Sequence, residues 1–278
     1  MTVYRYRQYR AALKAVAFTG RYMPYEWGNL PQRLPFTWAA YAEMFQEFSS
    51  ELANVVNDLT RYTHQLKAWR DVVDSLDDDG KIDVAVDFIE PLGTLALNLP
   101  YVIRSRFIFA ATHLCHQAGR TKVKGWKDDL PLDDEIYFQQ ADKAGKSWKQ
   151  YGKFKLRLER VGNKTYQART HDFRNRYNHR FSPRIVIGQT GLVTRRVNPT
   201  SKAVSYGFGG IGPLTLPLVV ELLEQQCKYC YAAFEAFQKL VQEHEAAITP
   251  AVAAELSAMD SAIKERQKLN KPQESGSN

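Results

Sequence analysis

From Phe36 to about Leu76 the chain contains neither Gly nor Pro, and Trp38, Tyr41, Phe45, Phe48, Leu52, Val55, Val56, Leu59, Tyr62, Leu66 and Trp69 recur at intervals of three and four. That interval returns a side chain to one flank of an α-helix, so the segment is expected to form a single helix of about 40 residues. An element of that length fits a helical bundle or a dimer stalk and fits poorly into a sheet-based fold.

The remaining patterns extend the helical reading. Residues 3 to 17 read as a short amphipathic helix, followed by a connection through Pro24, Gly28, Pro31 and Pro35. The run Asp77-Asp78-Asp79-Gly80 closes the long helix. It reads as an acidic turn, because it lacks the later ligands and the terminal Glu of a calcium loop. A second long helical region is expected from Ile82 to about Gln117, kinked or broken at Pro91 and Pro100. A polar stretch from Gly119 to Pro131 forms a soft boundary, and Asp133 to Arg160 reads as helix weakened at Gly145 or Gly152. Gly162-Asn163 stops that helix and the next begins near Lys164. After Ser182-Pro183 the period changes to two: Arg184 to Ile187, Leu192 to Val197 and Ala203 to Phe208 read as a small hairpin or three-stranded ribbon, an insertion over 184–208. Helices from Pro213 to about Ala247 and from Pro250 to about Lys268 follow. The expected class is all-α with one small β insertion, in a single domain over 1–268 with a disordered tail over 269–278.

Three cysteines, Cys115, Cys227 and Cys230, cannot supply a disulfide framework, and the N-terminus lacks the apolar core of a signal peptide. The most apolar stretch, Val84 to Cys115, is interrupted by Asp87, Glu90, Arg104 and Arg106. A cytoplasmic protein without a membrane span is expected. The pairs His113-x-x-His116 and Cys227-x-x-Cys230 have the one-turn spacing of shared zinc ligands, yet both lie in apolar helices, where buried cysteine and hydrogen-bonded histidine are the ordinary outcome. Neither a metal nor a cofactor is expected.

The net charge of +8 is unevenly placed. Lys143 to Lys202 holds 16 Lys and Arg against two acids, Glu159 and Asp172, a balance of +14 that leaves the rest at −6. Such a basic middle attracts polyanions. The aromatics interleaved in it, Trp148, Tyr151, Phe154, Tyr166, Phe173 and Tyr177, either stack on unpaired bases or pack in the core; core packing is the expectation for Phe154, Phe173 and Tyr177.

Within this stretch, residues 171–181 read His-Asp-Phe-Arg-Asn-Arg-Tyr-Asn-His-Arg-Phe. On a continuous helix, with Arg174 at zero, Asn178, His171, Asn175 and His179 fall near about 40°, 60°, 100° and 140°. Phe173, Tyr166, Tyr177 and Phe181 fall near about 260° to 340°, so an aromatic stripe opposes a polar arc. Arginine presents a planar fork of donors to phosphate oxygens, and histidine exchanges a proton near neutral pH. RNA brings its own nucleophile, the 2′-hydroxyl, so a cation and an imidazole suffice for cleavage without a metal. The same arc also suits a solvated helix surface, or a dimer contact in which Arg174 meets a carboxylate.

The R-N-x-x-x-H string of Arg174, Asn175 and His179, followed by a short β-rich segment and a long helix, resembles the HEPN superfamily (higher eukaryotes and prokaryotes nucleotide-binding). The resemblance implies a helical bundle that dimerises so that two motifs face one cleft. It also implies metal-independent endoribonuclease activity, often in toxins or in defence against phage, with antitoxin or defence partners. Carried over, Arg174 holds the scissile phosphate, Asn175 orients the site and His179 is the acid or base. Around them His171, Arg176, Asn178, Arg180 and Arg169 are the expected RNA contacts, together with Arg195 and Arg196, which, like Lys202, either grip RNA backbone or keep an exposed strand edge soluble. Some members of the superfamily only bind nucleotides or partners, which makes a non-catalytic binding module the alternative.

Overall fold

The computed structural model describes residues 2–269. The expected tail over 269–278 therefore lies, apart from Leu269, outside the described residues. The chain is mostly helical, with one small antiparallel sheet. Its helices are α1 (Thr2–Ala15), α2 (Ala39–Val73), α3 (Asp78–Val84), α4 (Glu90–Ala118), α5 (Phe138–Gly145), α6 (Tyr151–Leu158), α7 (Lys164–Arg169), α8 (Phe173–His179) and α9 (Leu216–Leu269). The strands β1 (Val193–Val197) and β2 (Val204–Phe208) lie between α8 and α9. Among the described residues no helix is long and apolar enough to cross a membrane.

The periodic segment forms α2, entered through a 3₁₀ turn at Phe36–Trp38, and its apolar positions Tyr41, Phe45, Leu52, Val56, Leu59, Leu66 and Trp69 are buried. The acidic run after it is the start of the next helix: the Asp77 side chain accepts from the Gly80 N–H at 2.9 Å and caps α3. The second helical region is interrupted just before Pro91 by a π-helical segment at Ala85–Ile89, and Pro91 falls in the first turn of α4, where a missing N–H costs least; α4 then runs through Pro100.

One expectation about a helix break is corrected. Pro250 lies inside α9 and does not separate two helices. Ile248 and Val252, both buried, anchor the helix on either side of it. The helical stretch from Asp133 to Arg160 opens with a 3₁₀ turn at Asp133–Glu135 and is interrupted at Gly145, one of its two expected weak spots, into α5 and α6. A Cβ at Gly145 would sit 2.3 Å from the Tyr151 ring, so glycine is what lets that ring lie across the end of α5.

The chain divides into two compact units, each assembled from three segments. The first comprises residues 1–24, 51–107 and 155–234. Its core includes Tyr9 stacked on Trp69 at 4.5 Å, Trp69 against Phe88 at 5.0 Å, and Phe107 edge-on to Phe234 at 6.2 Å. The Tyr166 hydroxyl donates to the Leu97 carbonyl at 3.0 Å and so ties α7 to α4. Among the described residues the second unit comprises 25–50, 108–154 and 235–269. There His244 is fully buried, 3.1 Å from the Tyr41 hydroxyl and 3.5 Å from Cys115 Sγ, with the Trp148 ring 4.3 Å from its own.

In the sheet Val193 pairs with Phe208, Arg195 with Tyr206 and Val197 with Val204. Arg184 to Ile187 does not form the possible third strand. Val186 has φ +75°, which interrupts extension, and only an isolated bridge joins Ile185 to Leu214. The turn between the strands is held by the Asn198 side chain, which accepts from the N–H groups of Thr200 and Ser201, each at 2.9 Å.

Candidate functional site

The motif lies in the first unit, on α8, and its geometry is set by the break before that helix. Asn163 caps α7 by accepting from the Tyr166 N–H at 2.9 Å, which starts the helix at the expected residue. Yet α7 ends at Arg169, and His171 and Asp172 both adopt left-handed backbone angles, with φ of 52° and 57°. The single helix through Tyr166 to Phe181 is therefore corrected to two short ones. His171 leaves the motif wheel, because two consecutive left-handed residues redirect the chain by far more than one helical step.

Within α8 the shorter wheel holds. Arg174 and Asn178 are four residues apart, as are Asn175 and His179, so the two pairs lie side by side on adjacent flanks. All four side chains are exposed. Phe173 is buried beneath them and stacks on Tyr177 at 6.1 Å with nearly parallel rings. The Arg174 guanidinium sits 5.4 Å from the centre of the Tyr101 ring, a residue of α4. Burial raises the Tyr101 phenol above its ordinary range, with the Asp172 charge adding to this and Arg174 opposing it. Asp172 joins the two helices: its carboxylate accepts from Gln167 Nε2 at 2.7 Å and from Asn175 Nδ2 at 2.8 Å. The Gln167 bond is the main reason its carboxyl is held below the usual range; partial desolvation opposes this, and the Asn175 bond adds to it.

The surrounding basic residues are not equivalent. Arg169 is engaged by Glu221 at 3.0 Å, so its charge is partly answered within the protein. Arg176 and Arg180 lie close enough to Asp172 to lower its carboxyl further. Arg195 and Arg196 are exposed on β1 with no carboxylate within ion-pair distance among the described residues. From Phe173 to Val220 the sequence contains seven Lys and Arg and no acid; Arg184, between α8 and the hairpin, is paired with Glu90 at 3.1 Å, and the charge of the stretch rests mainly on α8 and the hairpin.

Which aromatics can meet a ligand differs from expectation. Trp148, Tyr151, Phe154, Tyr166 and Phe173 are core residues. Tyr177, expected in the core, is 53% exposed, because α8 is too short and too superficial to bury more than one of its rings. Phe181 is 83% exposed just beyond it. Tyr206 and Phe208, which were not singled out from the sequence, are 61% and 85% exposed, and only the period-two pattern of the hairpin marked them. Asp172 was visible beside the motif, whereas nothing in the sequence linked Tyr101 to Arg174 across 73 positions.

No family model, curated protein or solved structure matches the chain. The site is therefore read from its own chemistry. Arg174, Asn175 and His179 line neither the cavity of about 230 Å³ around His64, Lys67 and Cys227 nor the groove of about 850 Å³ around Trp126, Leu130 and Lys143. They form an open cationic and imidazole surface rather than a closed pocket. The histidine and cysteine pairs have partners of other kinds. His116 Nε2 is 3.1 Å from Asp128 and Cys227 Sγ is 3.5 Å from Thr63 Oγ1. No group of three or more His, Cys, Asp or Glu suited to a metal occurs among the described residues.

Proposed function

We propose that the protein is a metal-independent endoribonuclease whose site is the R-N-x-x-x-H surface of α8. The observation that carries this reading is the exposure of Arg174 and Asn175 together with His179, on neighbouring flanks of one helix, in a 48-residue stretch without an acid. The planar fork of Arg174 suits two phosphate oxygens, and its approach over Tyr101 supports one orientation of that fork. His179 accepts the proton of the ribose 2′-hydroxyl, the 2′-oxygen bonds to phosphorus, and the bond from phosphorus to the 5′-oxygen breaks. The leaving 5′-oxygen takes a proton from a second acid, so the products carry a 2′,3′-cyclic phosphate and a 5′-hydroxyl.

One histidine supplies one proton transfer at a time, and an open surface does not exclude water. Both points support a homodimer in which a second copy of α8 closes the cleft and its His179 is the complementary acid. An HEPN-like helical bundle and a toxin or anti-phage role, with an antitoxin or defence partner, belong to the same proposal and rest on the motif resemblance. End analysis of cleaved RNA tests the chemistry. Fragments that cannot be ligated at their 3′ end until a cyclic phosphate is opened are expected, and 5′-phosphate ends would contradict the mechanism.

A second reading, RNA binding without scission, is favoured by one feature: among the described residues His179 has no hydrogen-bond partner to fix its tautomer. It predicts retained, salt-sensitive RNA binding with no fragments after prolonged incubation.

A further inference from the structure

The β1–β2 hairpin has no structural employment for its side chains. Alternation places Val193, Arg195 and Val197 with Val204, Tyr206 and Phe208 on one face, and Thr194 and Arg196 with Ser205 and Gly207 on the other. Apart from half-exposed Gly207, every one of these ten residues is exposed. A hairpin that served only as a connection would not carry an apolar, aromatic face into water, since an exposed patch of this kind marks an interaction surface. The question is what covers it.

Charge selects among the candidates. Arg195 stands at the middle of the apolar face, directly across from Tyr206, and Arg196 holds the opposite face with its guanidinium over Gly207. Lys202 lies in the turn with a left-handed backbone. A twofold contact between two copies of this face would bring two cationic faces together with no carboxylate from Phe173 to Val220 to answer Arg195. A polyanion meets no such penalty. Aromatic faces next to guanidinium groups match the two surfaces of an unpaired nucleotide, base and phosphate. Tyr206 and Phe208 are two residues apart on one strand, about 6.8 Å, which is about twice the 3.4 Å stacking interval and leaves room for one base between the rings. A duplex offers no free base face, so the rings would gain nothing from it.

We infer that this hairpin is a substrate arm that selects unpaired RNA, stacking a base on Tyr206 and Phe208 while Arg195, on the same face, takes a flanking phosphate. The inference rests on the ribonuclease reading for its biological purpose, and its test is separable from that reading. In a His179→Ala background, a fluorescein-labelled mixed-sequence 12-nucleotide RNA is titrated as a single strand and again annealed to its complement. The variants compared are Tyr206→Ala with Phe208→Ala, Arg195→Gln alone and Arg196→Gln alone; all four positions are exposed, so folding is not at issue. Loss of the rings is expected to weaken single-strand binding about tenfold or more and to leave duplex binding unchanged. Loss of Arg195 is expected to reduce the salt slope for the single strand by about 0.7, and loss of Arg196, on the opposite face, by less. Unchanged single-strand affinity in the ring variant would overturn the arm, as would sedimentation showing that the variants dissociate a dimer while RNA affinity stays the same. An acidic partner protein that loses affinity with the variants while RNA does not would equally overturn it. If His179-intact protein binds through the hairpin and never cuts, the arm stands and the ribonuclease reading falls. If it cuts and the hairpin variants bind and cut as well as wild type, only the arm falls.

Discussion

Asn175 donates its side-chain N–H to the Asp172 carboxylate at 2.8 Å, so the amide of the motif is held by the residue that turns the chain into α8. The same carboxylate accepts from Gln167 on α7. One side chain therefore sets both the direction of α8 and the orientation of Asn175. Asp is among the few residue types that tolerate the left-handed angles found here.

Replacing Asp172 with Ala removes both hydrogen bonds and that tolerance, and should lower stability by about 1–2 kcal/mol with a several-fold loss of RNA cleavage. Asp172→Asn keeps an acceptor oxygen and the backbone preference and should retain most activity. Denaturant melts and initial rates on the same preparations check this. Equal behaviour of Ala and Asn at position 172 would show that the bond to Asn175 is irrelevant.

The Arg174 guanidinium over the Tyr101 ring suggests a positioning role for Tyr101. Tyr101→Phe preserves the ring and should leave cleavage within about twofold of wild type. Tyr101→Leu removes a cation–π contact of about 0.5–1 kcal/mol and should reduce kcat about two- to fivefold with little change in KM. Arg174→Lys keeps the charge and loses the fork, and should cost about a hundredfold or more. A KM effect in Tyr101→Leu without a kcat effect would place the ring in substrate binding instead.

How much of this was legible follows from the range of the forces involved. The 3–4 periodicity of α2 records burial directly, so that helix and its core residues could be read off the sequence. The R-N-x-x-x-H spacing was legible for the same reason, being local to two turns. The break at His171–Asp172 was not, because neither residue type forbids helix and the turn is fixed by Asp172 reaching to Gln167 and Asn175. Proline misled in the opposite direction at Pro250, which opposes local helix and is outweighed by the burial of Ile248 and Val252. For Tyr151 and Trp148 the sequence left base stacking and core packing equally open, and packing on Gly145 and His244 decides for the core.

The second unit carries a pH dependence that does not involve the motif. Burial, with a smaller contribution from the Lys122 charge, lowers His244 to about 3 from an ordinary 6.5. The fold binds the neutral imidazole between Tyr41 and Cys115, so its contribution is complete above pH 6.5, where the unfolded chain is also neutral. Below that the unfolded state takes up a proton that the folded state refuses, and stability should fall by about 1.4 kcal/mol per pH unit, a few kcal/mol in all by pH 4. Burial also lowers His64 and His113, so the comparison is with His244→Gln, whose amide cannot titrate. Urea melts at pH 8, 6 and 4.5 should give a shallower pH dependence for the variant, and parallel curves would remove His244 as the cause.

The central claim is most directly tested by incubating a mixed RNA substrate in EDTA with wild-type protein and with His179→Ala at equal purity. Scission by wild type alone, with the variant still folded and still binding RNA, is the expected result. Equal cutting by both proteins, or binding by both with no cutting by either, would contradict a metal-independent ribonuclease centred on His179.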